Sequence, residues 1–139
     1  MNTIITKSEQ ETLNVAQEFS KTLHGGELIE LEGELGAGKT MFVRGVAEAL
    51  GATVRVKSPT FTVANEYPVE HQDIKKIVHL DLYRLTDQSQ LQGLALEDYQ
   101  QPNAVIFIEW PNIFGASPFL NSRKVKIEVV DEVTRQISF

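Results

Sequence analysis

The run from Leu28 to Thr40, LIELEGELGAGKT, joins an apolar strand-like stretch to a glycine-rich loop ending in Gly-Lys-Thr, and it limits the choice of fold more than any other segment. Gly33, four residues, then Gly38, Lys39 and Thr40 is the spacing of a phosphate-binding loop. Such a loop must turn several successive backbone N–H groups toward one anion. Glycines at Gly33, Gly36 and Gly38 let the chain do so without a Cβ clash. Two glycines at fixed positions arise by chance at about one site in two hundred. A following Lys and hydroxyl residue makes an accidental match rarer still.

The flanks agree with this reading. Leu28, Ile29 and Leu31 supply a strand before the loop, while Phe42, Val43, Val46, Ala47 and Leu50 recur at helical spacing after it, with Gly51 as the residue that ends the helix. The helix would bring its own unsatisfied N–H groups and positive dipole end to the anion. Gly36, Ala37, Gly38, Lys39, Thr40 and Met41 are therefore the candidate cofactor-binding residues of this stretch. Lys39 supplies a mobile charge for the outer phosphates, and the Thr40 hydroxyl is placed to ligate Mg²⁺.

The 139 residues suit one domain with one core, residues 1–139, and 42% hydrophobic residues suffice to fill it. No apolar run approaches the roughly 20 residues of a membrane span, and MNTIITKSEQ lacks the features of a secretory signal, so the cytosol is the expected location. Without cysteine, disulfides and thiolate metal sites are excluded; a metal would be held by oxygen or imidazole. A net charge of −6 argues against a protein that grips nucleic acid alone.

Along the chain, Thr3 to Thr6 suits a first strand. Ser8 and Glu11 form a capping-box pair ahead of a helix with Leu13, Ala16, Phe19, Ser20 and Leu23 on one face, ending near His24, Gly25 and Gly26. Val54 to Val56 suits a brief strand. Ser58 to Val69 reads as a loop leading into a strand, and a polar turn from Glu70 to Lys76 joins it to Ile77–Leu82 as a hairpin. Leu91 to Tyr99 suits one or two short helices closed by Pro102 and Asn103. Ala104 to Glu109, AVIFIE, is the continuous apolar run of a fully buried strand, and Val125–Val130 and Val133–Phe139 suit two closing strands.

A magnesium-bound nucleoside triphosphate needs a carboxylate near the metal and a group that orients the attacking water. Asp81, near the end of IVHLDLY, and Glu109, at the end of AVIFIE, would both face the ligand crevice at the carboxyl ends of parallel strands. Glu109 has the stronger claim because its strand is more apolar. The same pattern suits an acid that solvates a strand end or pairs with Arg84, so both readings stay open for each. Thr60, within SPTFT, could reach a phosphate or metal from a switch loop, though Ser-Pro-Thr is also an ordinary turn. Trp110 suits packing or a place beside the site. His24, His71 and His79 lie far apart without metal-ligand spacing and read as structural or solvent-facing.

With these residues in view, the chain resembles the TsaE family, the small ATPase of bacterial tRNA threonylcarbamoyladenosine synthesis. The resemblance rests on GELGAGKT (33–40), VKSPTFTVANEY (56–67), HLDLYRL (79–85) and IEW (108–110). It implies an α/β, single-domain P-loop NTPase fold in which a mixed, mostly parallel central sheet is flanked by helices and edged by antiparallel strands. It also implies ATP or ADP with Mg²⁺ as ligands and a role in modifying the adenosine beside the anticodon, with TsaD and TsaB homologues as partners and tRNA met through that complex. By resemblance Lys39 binds phosphate, Thr40 and Glu109 ligate Mg²⁺, Thr60 is a switch residue, Asp81 is an essential acid near the γ-phosphate, and Glu9 and Arg135 contact the nucleotide. From pattern alone Glu9 is first-turn helix charge. Met41 departs from the family, which usually has a second threonine there, and NIFGAS after Pro111 lacks the usual acidic or glutamine residue.

Two other classes fit a phosphate loop. A small-molecule kinase commonly has an arginine-rich lid, whereas Arg55, Arg84, Arg123 and Arg135 are scattered. A nucleotide-sensing module without significant hydrolysis would share every motif named here.

Overall fold

A mixed seven-stranded sheet frames the molecule, its strands in chain order being β1 (Thr3–Thr6), β2 (Leu28–Glu32), β3 (Ala64–Pro68), β4 (Lys76–Asp81), β5 (Ala104–Glu109), β6 (Arg123–Val129) and β7 (Arg135–Ser138). Helix α1 (Glu9–Ser20) follows β1, and α2 (Lys39–Ala49) follows β2. The computed structural model describes residues 2–54, 56, 64–85, 87, 89–90, 96–110, 115, 119 and 121–139.

The spatial order is β1-β7-β6-β2-β5-β4-β3, so β2 is the middle strand. Its neighbours β5 and β6 run parallel to it, β4 runs parallel to β5, and the edges close with the antiparallel pairs β3–β4, β6–β7 and β1–β7. The expected hairpin is β3–β4, and β5, apolar up to its final Glu109, is buried at every position. β6 does more than close the sheet: it lies beside β2.

Side chains alternate between the two faces of the sheet, and each face has its own apolar cluster. Ile29, Leu31, Ile77, Phe107, Val125 and Ile127 pack with both helices. On the opposite face Val78, Leu80, Ile106 and Ile108 pack with Leu82, Leu85 and Trp110. Phe19 of α1 meets Phe42 of α2 edge-on, ring centroids 5.4 Å apart, and thereby fastens the two helices together.

Helix α1 starts where Ser8 Oγ accepts the Glu11 N–H at 3.1 Å, while the Glu11 carboxylate accepts the Lys7 N–H. It stops at Ser20, short of the expected His24, because the N–H groups of Lys21, Thr22 and Leu23 bond carbonyls three residues back and tighten the last turn. The face of α2 is as expected: Phe42, Val43, Val46, Ala47 and Leu50 are all buried. No strand forms at Val54 and Val56, with Arg55 outside the described residues; Val54 is 50% exposed, whereas Val56 is buried in the core. Residues 57–63, which include Thr60, also lie outside the described residues, as do 91–95 ahead of a short 3₁₀ turn at Leu96–Asp98.

Candidate functional site

Between β2 and α2 the chain crosses the carboxyl end of the sheet. Gly36 and Gly38 adopt φ of +82° and +110°, a region that side chains with a Cβ rarely enter. Gly33 is needed for another reason: a Cβ there would meet the Ile127 carbonyl oxygen of β6 at 2.7 Å. No side chain caps α2, so its first-turn N–H groups and positive dipole end are suited to an anion.

Lys39 opens α2 and reaches back over the strand ends. Its Nζ donates to the Gly33 carbonyl at 2.6 Å, lies 3.1 Å from Glu109 Oε1, and stands 4.7 Å from the centre of the Tyr83 ring. Only 8% of either side chain in the Lys39–Glu109 pair is exposed. Glu109 Oε2 in turn bonds His79 Nε2 at 2.7 Å, so a continuous path runs from the loop through lysine and glutamate to a fully buried histidine. Burial opposes ionisation of Glu109, but the bond and charge of His79, with the charge and bond of Lys39, outweigh it. They hold the carboxyl below its ordinary value.

Asp81 stands beside Glu109 in the register of parallel strands β4 and β5, so the structure brings the two expected acids together. Its Oδ1 also accepts the Tyr83 N–H at 3.1 Å and starts the 3₁₀ turn at Leu82–Arg84. Thr40 is the second residue of α2 and is half-buried. Trp110 turns to the other face, where its Nε1 donates to the Gly115 carbonyl at 3.0 Å and its ring meets Phe119 edge-on.

Glu9 and Arg135, nearly the length of the chain apart, line one pocket of about 240 Å³ with Gly36, Ala37, Gly38 and Met41. Arg135 spends its guanidinium on carbonyls: Nε donates to Ala37 at 2.9 Å, and Nη1 to Asp131 at 2.9 Å and Thr134 at 3.1 Å. It thus ties the β6–β7 turn to the phosphate loop. A second depression, of about 780 Å³, adjoins the other side of the loop at Gly33, Glu34 and the exposed Leu35, and extends to Tyr83 and Trp110.

Among the described residues no cluster of three acidic or imidazole groups forms a protein cage for a metal. One carboxylate and one hydroxyl at the mouth of an anion-binding loop instead suit Mg²⁺, which keeps waters and takes phosphate oxygens as ligands. The donor set therefore fits the ion. His79 and Tyr83 are the site residues that motif reading missed. For His79 a signal was present: it precedes Asp81 by two residues, and strand alternation puts the two on one face. His24 is exposed, and His71 accepts the Asp73 N–H in a turn.

The family described as "Threonylcarbamoyl adenosine biosynthesis protein TsaE" matches residues 6–137. The tRNA threonylcarbamoyladenosine biosynthesis protein TsaE of Bacillus subtilis is 34% identical over 134 residues, 96% of this chain and 82% of the relative. That of Aquifex aeolicus is 35% identical over 136 residues, 96% of this chain and 92% of the relative. The crystal structure of YdiB from Bacillus subtilis superposes with a TM-score of 0.72 at 28% identity, covering 98% of this chain and 82% of that one.

Proposed function

The chain belongs to the TsaE family of tRNA threonylcarbamoyladenosine biosynthesis proteins, and on that premise we propose that it binds and hydrolyses ATP with Mg²⁺ in support of that modification. The observation that carries the reading is the buried Lys39–Glu109 pair, 3.1 Å apart where the phosphate loop meets the end of β5. It puts a cation and an ionised carboxylate at the mouth of a loop already shaped for an anion.

Each residue then has a task. The backbone of Gly36 to Thr40 and the Lys39 ammonium bind the phosphates. Glu109, kept ionised by its neighbours, and the Thr40 hydroxyl hold the metal, whose charge offsets that of the phosphates. Asp81 orients the attacking water, and Thr60 is the switch residue. Glu9, Met41 and the wall that Arg135 braces receive the nucleoside end. TsaD and TsaB homologues are the partners in the cytosol. With a net charge of −6, tRNA is met through them.

The test is ATP turnover by the purified protein alone, then with cognate TsaB and TsaD homologues, with and without tRNA. Stimulation by the pair that is lost in Lys39→Ala is the expected result. ATP binding with no turnover under any condition would favour a nucleotide-sensing module instead.

A further inference from the structure

Packing does not explain the residue at position 79. His79 is wholly buried on the helix-facing side of β4, two residues from Ile77, and its register partner on β5 is Phe107. An aliphatic side chain would fill such a place without desolvating two ring nitrogens. Nδ1 is also buried and has no hydrogen-bond partner among the described residues. A buried polar atom left so is a cost to the fold and calls for a reason outside it.

The other nitrogen supplies one. Nε2 lies 2.7 Å from Glu109 Oε2, and an ionised carboxylate can only accept, so the ring donates. The terminal torsion of a glutamate is broad and roughly two-fold, so its carboxylate plane is poorly set by the side chain itself. Lys39 touches the other oxygen, but from the end of a long flexible stem. The imidazole, fixed in a strand, is the rigid partner.

We propose that His79 is a positioning residue that sets the plane of the Glu109 carboxylate, holding Oε2 so that Oε1 is presented to the phosphate loop and its metal. The role rests on the nucleotide reading above. Partners of this kind behind a metal-binding carboxylate change metal affinity by about 10- to 100-fold when removed.

The experiment measures ADP affinity by calorimetry with and without Mg²⁺, in the wild type, His79→Leu and His79→Gln, alongside urea unfolding of each. The gain in affinity that Mg²⁺ confers should fall by about 10- to 100-fold in His79→Leu. Stability should fall, because Glu109 loses a buried partner, but metal-free ADP affinity should hold, and His79→Gln, which keeps a donor, should recover part of the gain. A full magnesium-dependent gain in His79→Leu would overturn the role. So would an equal loss of metal-free and magnesium-dependent binding, the mark of a residue that only packs.

If His79→Leu does not fold, the ring proton decides the matter. An Nε2–H resonance of His79, protected from exchange in the wild type and lost in Glu109→Ala, is expected; an unprotected proton in the wild type would overturn the proposal. A wild type in which Mg²⁺ adds nothing to ADP affinity would remove the nucleotide reading and this role with it, an outcome visible before any substitution is compared.

Discussion

Asp81 and Glu109 stand side by side at the carboxyl ends of β4 and β5, yet their surroundings differ. Glu109 is clasped between Lys39 and His79 and almost closed off from solvent, whereas Asp81 is more open and caps a 3₁₀ turn through the Tyr83 N–H. Two neighbouring carboxylates in unlike environments are suited to unlike tasks, which in the proposed function are those of a metal ligand and a group that orients water.

Asp81→Asn separates those tasks. Asparagine keeps the oxygen that caps the turn, so stability should stay within about 0.5 kcal/mol. ATP hydrolysis should fall by about 100-fold or more if the carboxylate handles the water. Urea unfolding and single-turnover hydrolysis check the pair of outcomes; full activity would remove Asp81 from the chemistry.

Lys39→Met strikes binding and stability together. Nucleotide affinity should drop by about 10- to 100-fold, the worth of one charge-assisted hydrogen bond. Because Glu109 loses its cation while remaining largely buried, the fold should also lose about 2 kcal/mol, less than a fully enclosed pair would. Adding Glu109→Gln to Lys39→Met should recover much of the stability and none of the binding, as denaturation and calorimetry on the double variant would show.

The Glu109 carboxyl titrates below its ordinary value of 4.5 in the folded protein. A depressed folded value means that its contribution to stability is complete above the unfolded value and disappears as pH falls through the folded one. The melting temperature of the wild type relative to Glu109→Gln should thus be level from neutral pH down to about 4.5 and should converge below it. A gap that widens on acidification would contradict the assignment.

Arg135→Lys removes the fork that joins Ala37 to the β6–β7 turn while keeping the charge. Expected effects are a loss of about 1–2 kcal/mol in stability and faster hydrogen exchange at the amides of Ala37 to Lys39. If Arg135 bound the nucleotide only through its charge, lysine would preserve affinity and leave those amides as protected as before.

What could be read in advance was local. Ser8 with Glu11, the apolar face of α2 and the unbroken AVIFIE run each carry their signal within a dozen residues, and the glycines of the loop declare their own backbone. The order of the strands has no such signal: that β6 sits beside β2, close enough for the Ile127 carbonyl to demand Gly33, follows from pairing between distant segments. Arg135 could be marked as belonging to the site, but its partners are backbone carbonyls, which leave no trace in residue type. His79 reads in sequence as structural or solvent-facing, and it is wholly buried; its bond to Glu109 is not legible there, because a buried histidine looks the same in sequence whether it meets a core or a carboxylate.

The pairing of β1 with β7 carries a consequence for biosynthesis. Glu9 follows the first strand and Arg135 opens the seventh, so the pocket they share lacks its Arg135 wall while the chain is still emerging from the ribosome. Domains made from the N-terminus onward form local contacts early and long-range ones late. A nascent chain lacking β7 should therefore carry a Gly-Lys-Thr loop without its Arg135 brace at Ala37 and without an enclosed pocket beside it, so tight ligand capture would report that synthesis has run through β7.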